Sequence, residues 1–254
     1  MQQPLPAYLR ERLQRPYPVA GMVVAGSTPV LAFGAMRQAT VATIGLNPSK
    51  NEFLNRHGHL LAGTEQRLVT LASLGLATLA DADASQLQAV YAGCVGYFQR
   101  NPYRRWFDQL EAIVQGCGAS YYAGSACHLD LVQWATDPIW RNLAPATRAS
   151  LIAADRDFLA QQLQHEQIRL GLINGRGVMN ALAEAYGLQF VPAAAPVSDR
   201  SVTTQFFESM AFGNVRLIAW TTNLQSSVGV TNTLRAAIRQ RVAELVGSFE
   251  ENAR

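Results

Sequence analysis

Apolar residues fall into two patterns along this chain. Val41 to Leu46, Ala126 to Val132, Ile168 to Ile173 and Val215 to Trp220 are short continuous runs closed by Gly, Pro, Asn or polar residues. Runs this short, with several β-branched members, predict strands buried on both faces, as in a parallel sheet. Elsewhere apolar residues recur every three or four positions, which predicts helices. These are Thr64 to Leu79, Ala84 to Gln99 with Asp83 or Ser85 as cap, Arg104 to Val114, and Ala146 to Gln164. Gly177 to Tyr186, stopped by Gly187, and Asn232 to Val246 complete the set. A short helix around Ala7 to Gln14 lies in a proline-rich N-terminal arm. Val30 to Met36 predicts a further strand, turned through Arg37-Gln38-Ala39 onto Val41 to Leu46. Residues 191–205, rich in Pro, Ala and Ser, predict a loop.

Strands alternating with helices, without repeats or low-complexity linkers, predict one α/β domain over residues 1–254. The expected architecture is a three-layer α/β/α sandwich around a mainly parallel four-stranded sheet, with residues 1–28 as an arm and helix packed on it. Ligands of such sheets bind at the carboxyl ends of the strands. There the chain places three polar loops: Asn47 to Ser49, Asp130 to Gln133, and Asn223 to Ser227. Pro48 lacks an N–H and restricts Asn47 to extended conformations, which fixes where the Asn47 amide points. Each loop also has a plain structural reading. The first is an ordinary strand-end turn, Asp130 pairs with His128 or caps a turn, and the third leads into a helix capped at Asn232.

Composition narrows the function. The net charge of +3 permits nucleic-acid binding without requiring it, and Lys50 is the sole lysine among 21 basic residues. The three cysteines, Cys94, Cys117 and Cys127, have no metal spacing and are too few for the four thiolates of an iron–sulfur cluster. They predict buried free thiols in a reducing compartment, the cytoplasm. The histidines at 57, 59, 128 and 165 form no metal-binding pattern. There is no nucleophile elbow or phosphate-cradling loop, no signal-peptide layout, and no apolar run near the ~20 residues of a membrane span. No metal or other cofactor, and no membrane, is expected.

Gly45-Leu46-Asn47-Pro48-Ser49 after a buried strand resembles the first motif of the uracil-DNA glycosylase superfamily, in the G-x-N-P form of its mismatch-specific branch. Asp130-Leu131-Val132 falls where the family often has N-x-V. Trp220 to Gly229 is similar to its last loop, N-P-S-G-L-S, without the proline. The resemblance covers about residues 41–246. It implies a monofunctional DNA glycosylase that flips out a base, cuts its N-glycosidic bond and leaves an abasic site. Asn47 would orient water toward C1′, and Asn223 would hydrogen-bond the leaving base at O2. Ser49, Lys50, Ser226 and Ser227 would hold backbone phosphates. Leu224 or Val228 would wedge into the stack, and Phe53 would stack on the base. Lys50 is also the one amine that could form a Schiff base in a lyase.

Asp130 departs from the family's Asn. An ionised Asp only accepts hydrogen bonds, so it repels uracil O4 and suits a cytosine amine. The chain also resembles the divergent, phage-restricting members that excise glucosylated hydroxymethylcytosine, which implies antiviral defence. The expected partner is DNA, bound by a monomer. A uracil or mismatch repair glycosylase, a non-catalytic DNA-binding module on the same fold, and a nucleoside hydrolase are the other readings. Tyr103-Arg104-Arg105-Trp106 is either a DNA-binding surface or a helix start with snorkelling arginines.

Overall fold

The structure, a computed structural model, describes residues 4–16, 21–225 and 229–252, with backbone alone from 248 onward. The chain divides into two compact units, each assembled from separate segments. The first comprises Met1–Ala35, Leu46–Pro102 and Leu129–His165. The second comprises Met36–Gly45, Tyr103–His128 and Glu166–Arg254.

In the first unit, helix α1 (Ala7–Gln14) buries Leu9, Arg12 and Leu13. The predicted long helix after residue 64 is absent. Only α2 (Leu71–Leu74) is α-helical there, with single 3₁₀ turns at Gly63–Glu65 and Leu79–Asp81. Two local signals override the helical spacing. The Thr70 hydroxyl accepts from Ser73 N and starts a helix, and Gly75 at φ 68° ends it. Helix α3 (Ala84–Val95) starts at the predicted cap, where Asp83 and Gln86 form a reciprocal capping box. Residues 30–36 are almost all buried but form no strand. Val30 N bonds Gln133 O at 2.8 Å, so this apolar run is lining for a loop rather than a hairpin partner of the next segment.

The second unit carries the sheet. Its order is β2-β1-β3-β6-β5-β4, with β1 (Val41–Gly45), β2 (Ala126–Asp130), β3 (Leu170–Asn174), β4 (Val191–Asp199), β5 (Val202–Ala211) and β6 (Val215–Trp220). The chain passes into the first unit within β2, after His128. Strands β1, β3 and β6 are parallel, while β5 and β4 add on antiparallel. All residues of β1, β2, β3 and β6 are buried, as continuous apolar runs require. Gly171 permits this packing, since a Cβ there would lie 2.6 Å from Leu217 Cδ2. The sheet therefore has six strands, not four. The segment predicted as a loop is β4 and the start of β5. Two prolines and three alanines suit an edge strand, where an N–H can be dispensed with, and hide it from a search for apolar runs. Helices α4 (Arg104–Gly116), α6 (Arg176–Tyr186) and α7 (Asn232–Asn252) cover the sheet, with α7 against β4 and α4. Helix α5 (Pro145–His165) belongs to the first unit.

Candidate functional site

In the first unit two strand-end loops lock together. Val132 N donates to Leu46 O at 2.9 Å, which brings the turn after β1 beside the turn after β2. Asn47, half-buried, faces three oxygens through Nδ2: Pro48 O at 3.0 Å, Trp134 O at 3.2 Å and Thr136 Oγ1 at 3.2 Å. Two of these are carbonyl oxygens, which can only accept, so the amide nitrogen must occupy that end. The carboxamide oxygen is thereby fixed as an oriented acceptor.

Ser49 caps the 3₁₀ turn Lys50–Glu52, its hydroxyl accepting from Asn51 N at 3.2 Å. Lys50 Nζ lies 2.9 Å from Asp137 Oδ1, a half-exposed ion pair. Two of the predicted base contacts are buried. Asp130 is 3% exposed. Phe53 is 0% exposed, and its expected stacking role is corrected: protein covers the ring, leaving no open face for a base.

A buried network holds the second loop. Arg12, wholly buried, donates through Nη2 to both oxygens of Asp155 at 2.9 Å and through Nε to Gln133 Oε1 at 3.0 Å. Its guanidinium lies 5.3 Å from the Trp134 ring centroid. Gln133 N donates to Asp155 Oδ2, and Gln133 Nε2 donates to the carbonyls of Asp130 and Leu131. Burial pushes the Arg12 pKa down and the Asp155 pKa up, against the mutual attraction that favours both charges. One nitrogen held 2.9 Å from both carboxylate oxygens is the geometry of an ion pair.

Glu52 is the residue that sequence reasoning missed. It is 3% exposed and accepts from Tyr97 Oη at 2.7 Å. Burial, aided by the charge of Asp130 and opposed by Tyr97 and Arg67, pushes its carboxyl up to about 7. A group poised there exchanges a proton at neutral pH, a property enriched at functional sites. The available signal was an acid five residues beyond Asn47 in a turn flanked by apolar residues.

This rise has a consequence for stability. Below the ordinary carboxyl value of 4.5, the folded and unfolded chains both hold the proton, and the Glu52 contribution is fully present. As pH rises toward about 7 the unfolded chain releases it first, so the contribution is lost. Chemical denaturation over this range should show wild type losing ~3 kcal/mol relative to Glu52→Gln, whose amide still accepts from Tyr97. A constant difference would mean that Glu52 does not hold its proton.

In the second unit, Asn174 at the end of β3 organises the loop after β6. Its Oδ1 accepts from Trp220 Nε1 at 2.8 Å and Leu224 N at 3.0 Å. Its Nδ2 donates to Asn223 Oδ1 at 3.1 Å and to Gln225 Oε1. Gly175 has φ 101°, and a Cβ there would lie 3.3 Å from Asn223 Cβ, so the loop requires glycine at this strand end. Asn223 is exposed, and its oxygen also accepts from Gln225 N at 2.9 Å. Leu224 is 1% exposed, so its expected role as a wedge is corrected: it packs in the core. Ser226, Ser227 and Val228 lie outside the described residues. Of the basic and aromatic cluster, Arg104 stacks on Tyr122 at 4.7 Å, while Trp106 packs edge-on against His128 at 5.0 Å.

Burial pushes the thiols of Cys94 and Cys127 up, away from nucleophile chemistry. Among the described residues no group of three or more His, Cys, Asp or Glu could hold a metal ion. Among them, too, no helix is long and apolar enough to cross a membrane. No model of a known protein family matches the chain, and no characterised protein matches it.

Proposed function

We propose that this chain is a monofunctional DNA glycosylase with the three-layer fold of the uracil-DNA glycosylase superfamily. The observation that carries this reading is the anchoring of Asn47. With Nδ2 facing Pro48 O, Trp134 O and Thr136 Oγ1, its Oδ1 accepts a hydrogen bond from one water and turns that water's lone pair outward. A water so held attacks C1′ of a flipped nucleotide as its base departs. The transition state is oxocarbenium-like, so positioning and charge matter more than a strong base.

Asp130 accepts from the exocyclic amine of a cytosine derivative. The preferred substrate is glucosylated hydroxymethylcytosine in phage DNA, which makes the protein an antiviral enzyme. Ser49 and Lys50 contact phosphates.

Purified protein is tested on DNA carrying uracil, hydroxymethylcytosine or glucosylated hydroxymethylcytosine, with alkali to reveal abasic sites. Cutting only the glucosylated DNA is the expected result. Cutting uracil alone would replace the defence reading with repair. No cutting at all would leave a binding module.

The Lys50 ammonium is paired with Asp137, whereas a lyase needs a free amine. Borohydride should therefore trap no covalent complex with DNA. Lys50→Gln should lower activity by no more than about tenfold, the worth of one charge-assisted contact.

A further inference from the structure

In the second unit, the carboxyl end of the sheet carries an exposed cation that is held in place. Strands β3 and β6 run parallel and end level, with Asn174 opposite Trp220. Arg176 follows β3 by two residues and is exposed. Gly175 N donates to Trp220 O at 2.9 Å and Arg176 N donates to Thr221 O at 3.1 Å, so the backbone of Arg176 is fixed at the strand end. Its side chain is fixed too, because Nη2 donates to Gln205 Oε1 at 3.1 Å. Gln205 is tied to the same residue as the Arg176 backbone. Its N donates to Thr221 Oγ1 at 3.0 Å, and its O accepts from Thr221 N at 3.1 Å.

The partner is what sets Arg176 apart. Arg12, Arg216 and Arg241 are anchored by the carboxylates of Asp155, Glu208 and Glu244, at 2.9, 2.7 and 3.1 Å. Arg176 is anchored by a neutral amide, and among the described residues no carboxylate forms an ion pair with it. An amide orders the guanidinium without cancelling its charge. The space beside it is open, since Gly177 is exposed and a Cβ there would meet nothing within 4 Å. On its other side Gly175 allows the exposed Asn223 loop to approach.

We propose that Arg176 is a contact of the second unit for a backbone phosphate of DNA, with Gln205 as its positioning residue. The inference rests on the DNA-binding part of the reading above and adds a contact to it. Ligands of parallel sheets bind at the carboxyl ends of the strands, where Arg176 lies. The planar guanidinium fork matches phosphate oxygens in pairs. A side chain already ordered by Gln205 and Thr221 loses less rotamer freedom when the phosphate arrives. Such a contact fixes register on the strand without reading its sequence.

The test measures the affinity of the full chain for an unmodified DNA duplex by fluorescence anisotropy over a range of salt concentrations. Far-ultraviolet circular dichroism confirms that each variant is folded. Wild-type affinity should fall linearly with salt on logarithmic axes. Arg176→Gln should flatten that slope by about 0.9, the counterion release of one phosphate contact, and weaken binding about fivefold to tenfold near ~0.1 M salt. Gln205→Ala keeps the charge, so it should keep the slope and bind a few-fold more weakly. Arg241→Gln, which removes a cation paired with Glu244, should leave the slope unchanged. If wild type binds with a salt-dependent affinity and Arg176→Gln keeps the full slope, or Arg241→Gln flattens it as much, the role of Arg176 is overturned while the DNA reading stands. If wild type binds no DNA, or binds it with an affinity indifferent to salt, the reading fails and takes this inference with it.

Discussion

Asp155→Ala is expected to destabilise the first unit by about 3–5 kcal/mol, the typical loss when one partner of a buried ion pair is removed. The reason is what it leaves behind. Arg12 is wholly buried, and its Nη2 has both oxygens of Asp155 as partners at 2.9 Å. Without the carboxylate, a guanidinium that cannot shed its proton remains buried against the rings of Trp134 and Phe158. Arg12→Met fails for the mirror reason. Paired replacement, Arg12→Met with Asp155→Leu, should recover most of the loss, because apolar packing of similar volume substitutes well for buried ion pairs. Urea denaturation of the three variants checks this. Single variants as stable as wild type would show that the pair is not what holds α1 to α5. The damage also reaches the site. Gln133 connects the pair to the carbonyls of Asp130 and Leu131, so surviving folded molecules should bind substrate more weakly.

Asn47→Ala is expected to lower base excision about 10²- to 10³-fold, the usual loss on removing one preorganised polar group from an active site. The stability change should be about 1–3 kcal/mol, because the truncation leaves acceptors of the buried Trp134 and Thr136 without the Asn47 donor. Asn47→Asp should not restore activity, although Asp occupies this motif position in some branches of the superfamily that the chain resembles. The side chain would lose its N–H donors and set a carboxylate against the carbonyl oxygens of Pro48 and Trp134. Single-turnover rates on the preferred DNA measure both variants. Full activity in Asn47→Ala would remove the turn from the chemistry.

Elements with strong local signals were legible from the sequence. Helix α1 and strand β6 occupy the residues that the apolar pattern marks, because a proline-flanked helix and a fully buried strand leave little choice. The β4–β5 hairpin was not, because an edge strand needs few apolar residues and tolerates Pro192 and Pro196. The predicted helix over 64–79 failed because Thr70 and Gly75 act within one turn, and spacing alone does not register caps. At the site, Asn47 was legible because Pro48 makes its turn distinctive. Glu52 was not, since its proton depends on burial and on Tyr97, 45 residues away. Phe53 and Leu224 were given surface roles through the resemblance, and burial decides otherwise. Asn174 reads as a simple strand stop, yet it holds the loop bearing Asn223.

The most direct test of the central claim is to follow the fate of water. Wild type and Asn47→Ala are incubated with glucosylated hydroxymethylcytosine DNA in heavy-oxygen water, and mass spectrometry reads both the released base and the sugar. The account predicts free modified base, heavy oxygen on C1′ of the abasic sugar at early times, and loss of both signals in Asn47→Ala. Intact DNA with wild type, or base release that Asn47→Ala leaves unchanged, would contradict it.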